Sequence, residues 1–419
     1  MHKIISVLII AALIGCSSSR QKNAVDPEKG NYQISQLRES LSIDPHNPET
    51  YLELGRHYLL QEDTLKALAV LDSALLFRPD YVDALFLQGE VLFEKGLNTA
   101  AYKAFLILLD TDGSPAWSDR IAEIIGMKHP VRQITTGQFD SANPAYDPAG
   151  SRIVFQSNRN QNWDIFAMDL TSGEMAQMTS SPLHDESPVF VDESGILFTR
   201  QQSSDGRRRD IYLIDSNLNS EKPLVVHPAD DWYPAPIPGG GSLLFVSDRN
   251  INGNSHTKIM KYDFHAEQVL PILVRDIDYG SPGIESPGDR FLFTARSEDH
   301  FALFDAHLNG KNVSRLSTRN IDFGAPKYSP AGKKIVFFSK VSKNYDLYEL
   351  DLGTEQLTKL TANDGRNLSP SYSPDGTKVV FYSNRTGRYQ IHELDLSQTY
   401  SRADLMNRMR ATIADAEFD

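Results

Sequence analysis

The sequence predicts a multidomain α + all-β chain: a short helical repeat followed by a six-bladed β-propeller. Three observations carry that prediction. Six copies of one strand-and-turn pattern run from Asn143 to Leu396, and their lead prolines (Pro144, Pro188, Pro234, Pro282, Pro326, Pro370) stand 44, 46, 48, 44 and 44 residues apart. Ahead of them, residues 32–128 carry a helical pattern that repeats every 34 residues. The last β copy lacks one strand, and a matching strand stands alone before the first copy.

Each β copy has the same parts. In the last, "SPSYSPDGTKVVFYSNRTGRYQIHELDL", a short strand follows Pro370 and the turn Ser373-Pro374-Asp375-Gly376 reverses the chain. Proline presets φ in such a turn and glycine tolerates positive φ. An apolar strand (Val379 to Tyr382), a polar turn (Asn384 to Gly387) and a third strand (Gln390 to Leu394) follow. Between copies lies a fourth strand, as in residues 175–179, 224–226, 269–273, 313–317 and 356–361. Four strands per unit of about 40–50 residues define a propeller blade. Residues after Leu396 supply no fourth strand, so residues 131–135 are expected to pair into the last blade and close the ring. Closure leaves only short protected edges.

In the helical region Gly55 matches Gly89, Ala67 matches Ala101, Leu71 matches Phe105 and Pro45 matches Pro79. The run Tyr51-x-x-Leu54-Gly55-x-x-Tyr58, followed by Ala67, Leu71, Ala74 and Pro79, resembles the tetratricopeptide repeat. That resemblance implies paired antiparallel helices with small residues at their crossings. The second copy is looser, residues 32–43 read as a preceding second helix, and Ser114-Pro115 start a last helix bearing Trp117, Ile121, Ile124 and Ile125. Read this way, the region is a platform braced on its neighbour or a concave peptide-binding groove.

The N-terminus reads as an export signal. An apolar run from Ile4 to Ile14 follows one lysine, about half the length a bilayer-spanning helix needs. Leu13-Ile14-Gly15-Cys16 resembles the bacterial lipobox, which implies lipidation of Cys16, the single cysteine of the chain. More than one acyl chain gives stable anchoring. Ser17 fits outer-membrane sorting, facing the periplasm. The expected domains are a signal peptide (1–15), a polar structureless tether (16–31), tetratricopeptide-like helices (32–129), the propeller (130–402) and a tail (403–419) whose apolar spacing permits a short helix against the propeller or free in solvent.

With Ser-Pro-Asp-Gly turns and aromatic-Ser-Asx-Arg segments, residues 131–396 resemble the WD40-like repeats of TolB-type six-bladed propellers. The resemblance implies a periplasmic scaffold that binds envelope proteins through the propeller. TolB itself carries a small α/β domain where this chain has a lipobox and helices, so the resemblance leaves the partner open.

Composition excludes some functions. The net charge of −13 is spread along the chain without a basic stripe, which argues against nucleic acid. One cysteine permits no internal disulfide or thiolate metal site. Neither G-x-S-x-G nor H-E-x-x-H occurs, and the 11 histidines are scattered.

A candidate site precedes the lead prolines. Four residues upstream stand Asp140, His184, Asp230, Asp278, Asp322 and Arg366, joined by Asp185, Glu186 and Asp231. The first strand of a blade is innermost, so these residues are expected to ring the channel mouth. Aromatics accompany them: Phe139, Trp232, Tyr233, Tyr279 and Phe323. Converging carboxylates would attract a cationic peptide segment or Ca²⁺, and exposed aromatics beside charge suit peptide anchors. The simpler reading is that the aspartates only bond turns. The expected function is a non-enzymatic envelope scaffold binding protein or peptide partners at the mouth and in the helical groove. The alternatives are a metal-dependent enzyme acting on sugar or peptide at the channel, and a structural spacer.

Overall fold

The computed structural model describes residues 27–418 except 204–207, 216–219, 240, 285–287, 318, 320, 341–343, 363 and 364. The signal peptide and Cys16 lie outside the described residues. Two compact units form: one of the residues through Lys128 together with those from Tyr400, the other of His129–Thr399. Among the described residues no helix is long and apolar enough to cross a membrane.

The first unit contains α1 (Pro27–Ile43), α2 (Pro48–Leu60), α3 (Thr64–Phe77), α4 (Val82–Glu94), α5 (Asn98–Thr111), α6 (Pro115–Ile125) and α7 (Arg402–Phe418). The 34-residue period is visible in the boundaries, since α4 and α5 begin and end 34 residues after α2 and α3. Side-chain caps set the starts: Asn47 accepts from Thr50 N and Asp63 from Lys66 N, meeting donors that a helix start leaves free. Glycine is needed where the paired helices cross, because a Cβ on Gly89 would stand 2.5 Å from the Phe105 ring and one on Gly55 3.2 Å from Leu71.

Two details correct the sequence reading. The tether was expected to be structureless to residue 31, but α1 already begins at Pro27. The tail, expected against the propeller or in solvent, is helix α7 and belongs to the helical unit. It buries Leu405, Met406 and Met409, and its Arg402 guanidinium donates to the Leu109 carbonyl.

The second unit is a six-bladed propeller of four-stranded antiparallel sheets. The inner strands, Ser141–Tyr146, Asp185–Phe190, Asp231–Pro236, Gly283–Ile284, Gly324–Tyr328 and Asn367–Tyr372, each touch the next around the ring, and the last touches the first. We number blades 1 to 6 in that order. Blade 6 takes its outer strand from Val131–Gln133, which pairs antiparallel with Gln390–Asp395 in the register Val131↔Leu394. Thr135 shows that this is the missing fourth strand. Its hydroxyl accepts Ile391 N at 2.9 Å, as Thr179 accepts Ile165 N in blade 1 and Thr361 accepts Leu347 N in blade 5.

The core lies between blades. Six apolar clusters each combine residues of two neighbouring blades; one joins Tyr146, Ile153 and Phe155 of blade 1 to Val380 and Ile391 of blade 6. A phenylalanine at the same place in each second strand (Phe155, Phe198, Phe245, Phe293, Phe337, Phe381) is buried in all six copies. Tyr146 donates to Glu393 at 3.0 Å and Tyr372 to Glu349 at 2.9 Å, fastening blade 1 to 6 and blade 6 to 5.

Glu90 in α4 departs from this pattern of satisfied polar groups. It is 5% exposed, and its Oε1 has no hydrogen-bond partner among the described residues. Burial pushes its carboxyl up to about 7; Arg120 opposes the shift and Glu94 adds to it. A carboxyl whose folded pKa exceeds its unfolded value stabilises below the unfolded pKa, and that stability is lost as pH rises through the folded pKa. Helical-unit stability followed by circular dichroism should therefore fall from about pH 4.5 to about pH 7, on the order of 3 kcal/mol. Glu90→Gln should flatten the profile; an unchanged slope in that variant would assign the effect elsewhere.

Candidate functional site

The inner strand is the free edge of each blade, and the lead proline belongs there. Proline brings no N–H, so it leaves no donor to be satisfied on an unpaired edge. Just before it the strand bulges: register slips at this point in blades 1, 2, 3, 5 and 6. The residue preceding proline then sits in the left-handed region: Asn143 (φ 51°), Ser187 (53°), Tyr233 (55°), Ala325 (44°) and Ser369 (46°). None of these is glycine, and such conformations cost on the order of 1–3 kcal/mol each. Blade 4 differs, with an inner strand of only two residues.

The six residues four before the lead prolines occupy equivalent places, and five of them share one task. Each of the five reaches to the start of the third strand in the preceding blade. Asp140 Oδ1 accepts Tyr389 N at 3.0 Å, His184 Nδ1 accepts Trp163 N at 3.1 Å, Asp278 Oδ1 accepts Thr257 N at 3.1 Å and Asp322 Oδ1 accepts Phe301 N at 2.8 Å. Asp230 pairs with the Arg209 guanidinium at 3.3 Å. Arg366 lies 5.0 Å from the Tyr345 ring centre. Arg366 apart, they are inter-blade clasps, made by bonds between neighbouring blades and not by the local turn bonds of the simpler sequence reading.

Four other expected site residues are interior. Asp185 and Asp231 are fully buried. Arg200 forks onto Asp185 at 2.6 and 2.8 Å and also reaches Glu221; Arg249 Nη2 reaches both oxygens of Asp231 at 2.8 and 2.7 Å. Burial raises both carboxyls, and the guanidiniums oppose it. Tyr279 and Phe323, at 4% and 1% exposure, belong to apolar clusters. They fill the place that Asp185, Asp231 and Asn367 take in blades 2, 3 and 6, so apolar packing replaces the fork there. Among the described residues no three His, Cys, Asp or Glu side chains converge to hold a metal ion.

What the mouth does present is aromatic. Tyr233 is 44% exposed, with Trp232 6.4 Å away in an edge contact. On blade 6, Tyr382 stands edge-on to Tyr389 at 5.4 Å. Burial first, and the neighbouring tyrosines after it, push the Tyr382 hydroxyl up to about 12. Tyr345, Tyr382 and Tyr389 escaped the sequence reading because they sit at the second and third strands. Aligning the copies at those strands as well as at the prolines would have found them.

Fold and mouth together define a six-bladed β-propeller with aromatic side chains at one end of its channel. Residues 315–412 match the family model of the TolB beta propeller domain. An uncharacterized protein of Agrobacterium fabrum is 39% identical over 155 residues, 35% of this chain; the chain spans about half (52%) of that relative's length. Among solved structures, a TolB-designated protein of Agrobacterium tumefaciens aligns with TM-score 0.50 and 13% identity over 64% of this chain and 94% of its own. TolB of Acinetobacter baumannii aligns with TM-score 0.47 and 20% identity, covering 72% and 70% of the two chains. Oligogalacturonate lyase of Vibrio parahaemolyticus gives 0.48 and 13%, covering 64% and 93%. At these identities the likeness concerns the fold alone.

The fork in blade 3 gives a direct test of the architecture. Arg249→Ala strands the buried Asp231 carboxylate and should cost about 3–5 kcal/mol in the propeller unfolding transition. Adding Asp231→Asn should recover most of that loss. No loss in the single variant would mean that the fork does not hold the blade.

Proposed function

We propose that this protein is a non-enzymatic scaffold of the bacterial cell envelope. In this reading it is lipid-anchored through Cys16 in the outer membrane, faces the periplasm, and holds a peptide segment of an envelope protein at the propeller mouth. The observation that carries the proposal is the exposed Tyr233 with Trp232, fixed on a strained, clasped ring of inner strands. Large aromatics on a rigid frame bury area at little entropic cost. The match to the TolB domain supports the envelope location. The helical unit, with its 34-residue period and glycine crossings, reads as tetratricopeptide repeats offering a second docking face.

Crosslinking pull-down from native envelopes tests this. Trp232→Ala with Tyr233→Ala should capture the wild-type partner at least about tenfold less well, as loss of two aromatic anchors implies, while the propeller still unfolds cooperatively. An unchanged set of partners would refute the mouth as the docking site.

A further inference from the structure

The charges at the mouth and in the channel differ from blade to blade, with Asp322 exposed at the entry of blade 5 and a lysine further along the same inner strand. The residue after each lead proline is Ala145, Val189, Ala235, Gly283, Lys327 and Ser371 in turn. Only blade 5 puts a charge there. Lys327 is half-buried on its inner strand, and its Nζ stands 3.5 Å from the Pro282 carbonyl of blade 4. The two inner strands run close together, since a Cβ on Gly283 would meet Pro326 O at 2.5 Å. Among the described residues Lys327 has no ion-pair partner, and burial alone pushes its pKa down to about 8, so near neutral pH it is mostly an uncompensated cation. Two exposed cations lie at the same side of the mouth, Lys340 and Arg366, 5.8 and 5.0 Å from the Tyr345 ring centre. Neither has a carboxylate partner among the described residues.

We propose that the blade 5 side of the channel receives a carboxylate of a bound peptide, with Lys327 as the pairing residue and Lys340 and Arg366 steering the approach. This rests on the reading that the mouth binds a peptide. A peptide fits better than an inorganic anion because the inner strands are unpaired edges, where an extended chain finds main-chain partners, and because a single ammonium matches a single carboxylate. The partner segment would be acidic.

Fluorescence anisotropy of labelled tetra-glutamate on the full chain, at low salt and about pH 7, tests the proposal, with tetra-glutamine as the neutral control. Wild type should bind tetra-glutamate at least about tenfold more tightly than tetra-glutamine and than the Lys327→Met variant, about 1.4 kcal/mol. Lys327→Arg should keep most of the affinity. Wild-type binding should weaken from about pH 7 to about pH 9, as Lys327 loses its proton. Unfolding midpoints of Lys327→Met at or above wild type would show that the variant folds. Equal binding by Lys327→Met, or no preference for glutamate over glutamine, would overturn the proposal. If that happened while envelope capture still depended on Trp232 and Tyr233, only the carboxylate assignment would fall. If capture were also indifferent to those aromatics, both readings would fall.

Discussion

The propeller depends on one constraint: no blade can bury its own faces. Each apolar cluster draws on two neighbouring sheets, so removing one blade would expose two seams. A ring satisfies every seam only if the last blade meets the first, and covalent continuity does not provide that meeting. The strand Val131–Gln133 does. It enters blade 6 from the N-terminal side and completes a sheet whose other three strands come from the opposite end of the unit. Thr135 then repeats the bond made by Thr179 and Thr361, so the closing sheet is built like its neighbours.

The same need for inter-blade contact consumes the polar groups at the mouth. Backbone N–H groups at the start of a third strand have no ladder partner on the side of the next blade, and an unmet buried donor costs about 1–3 kcal/mol. Asp140, His184, Asp278 and Asp322 meet these donors. Charge that looks available in the sequence is therefore engaged in holding the blades in register. Five non-glycine residues in the left-handed region sit just above the lead prolines, a strain tolerated because the clasps and bulges on either side fix the backbone. The mouth is thus a stiff frame, and what remains for recognition is the aromatic set and the side chains that the frame does not use.

The repeat made the architecture legible. A lead proline recurring at nearly constant spacing, and a fourth strand displaced to the front, are one-dimensional signals with one three-dimensional solution. The helical pairs were legible for the same reason, through Gly55 and Gly89 at their crossings. The site was less legible because a repeated position tells that a residue is needed without telling what for. Asp231 and Tyr279 occupy matching places in neighbouring copies, one in a fork with Arg249 and the other in an apolar cluster. Nothing in the linear order separates a clasp from a ligand contact. The partners, Tyr389 for Asp140 or Arg249 for Asp231, are a blade or a strand away.

The residues that a fold requires in every copy are poor evidence of function, and the exceptions are better. At the position after the lead proline, five blades close with Ala, Val, Ala, Gly and Ser, so neither the inner strand nor the seam requires charge there. Lys327 breaks the pattern at a cost, since burial disfavours its charged form and no counter-ion stands beside it among the described residues. A spacer would gain from an apolar side chain at that place. A ligand carboxylate would offset that cost near neutral pH, and the field of the two exposed cations at Tyr345 would draw such a ligand toward this side of the channel. In a chain of net charge −13, that field is local and directional, which makes it a means of orienting a partner more than of attracting anions at large.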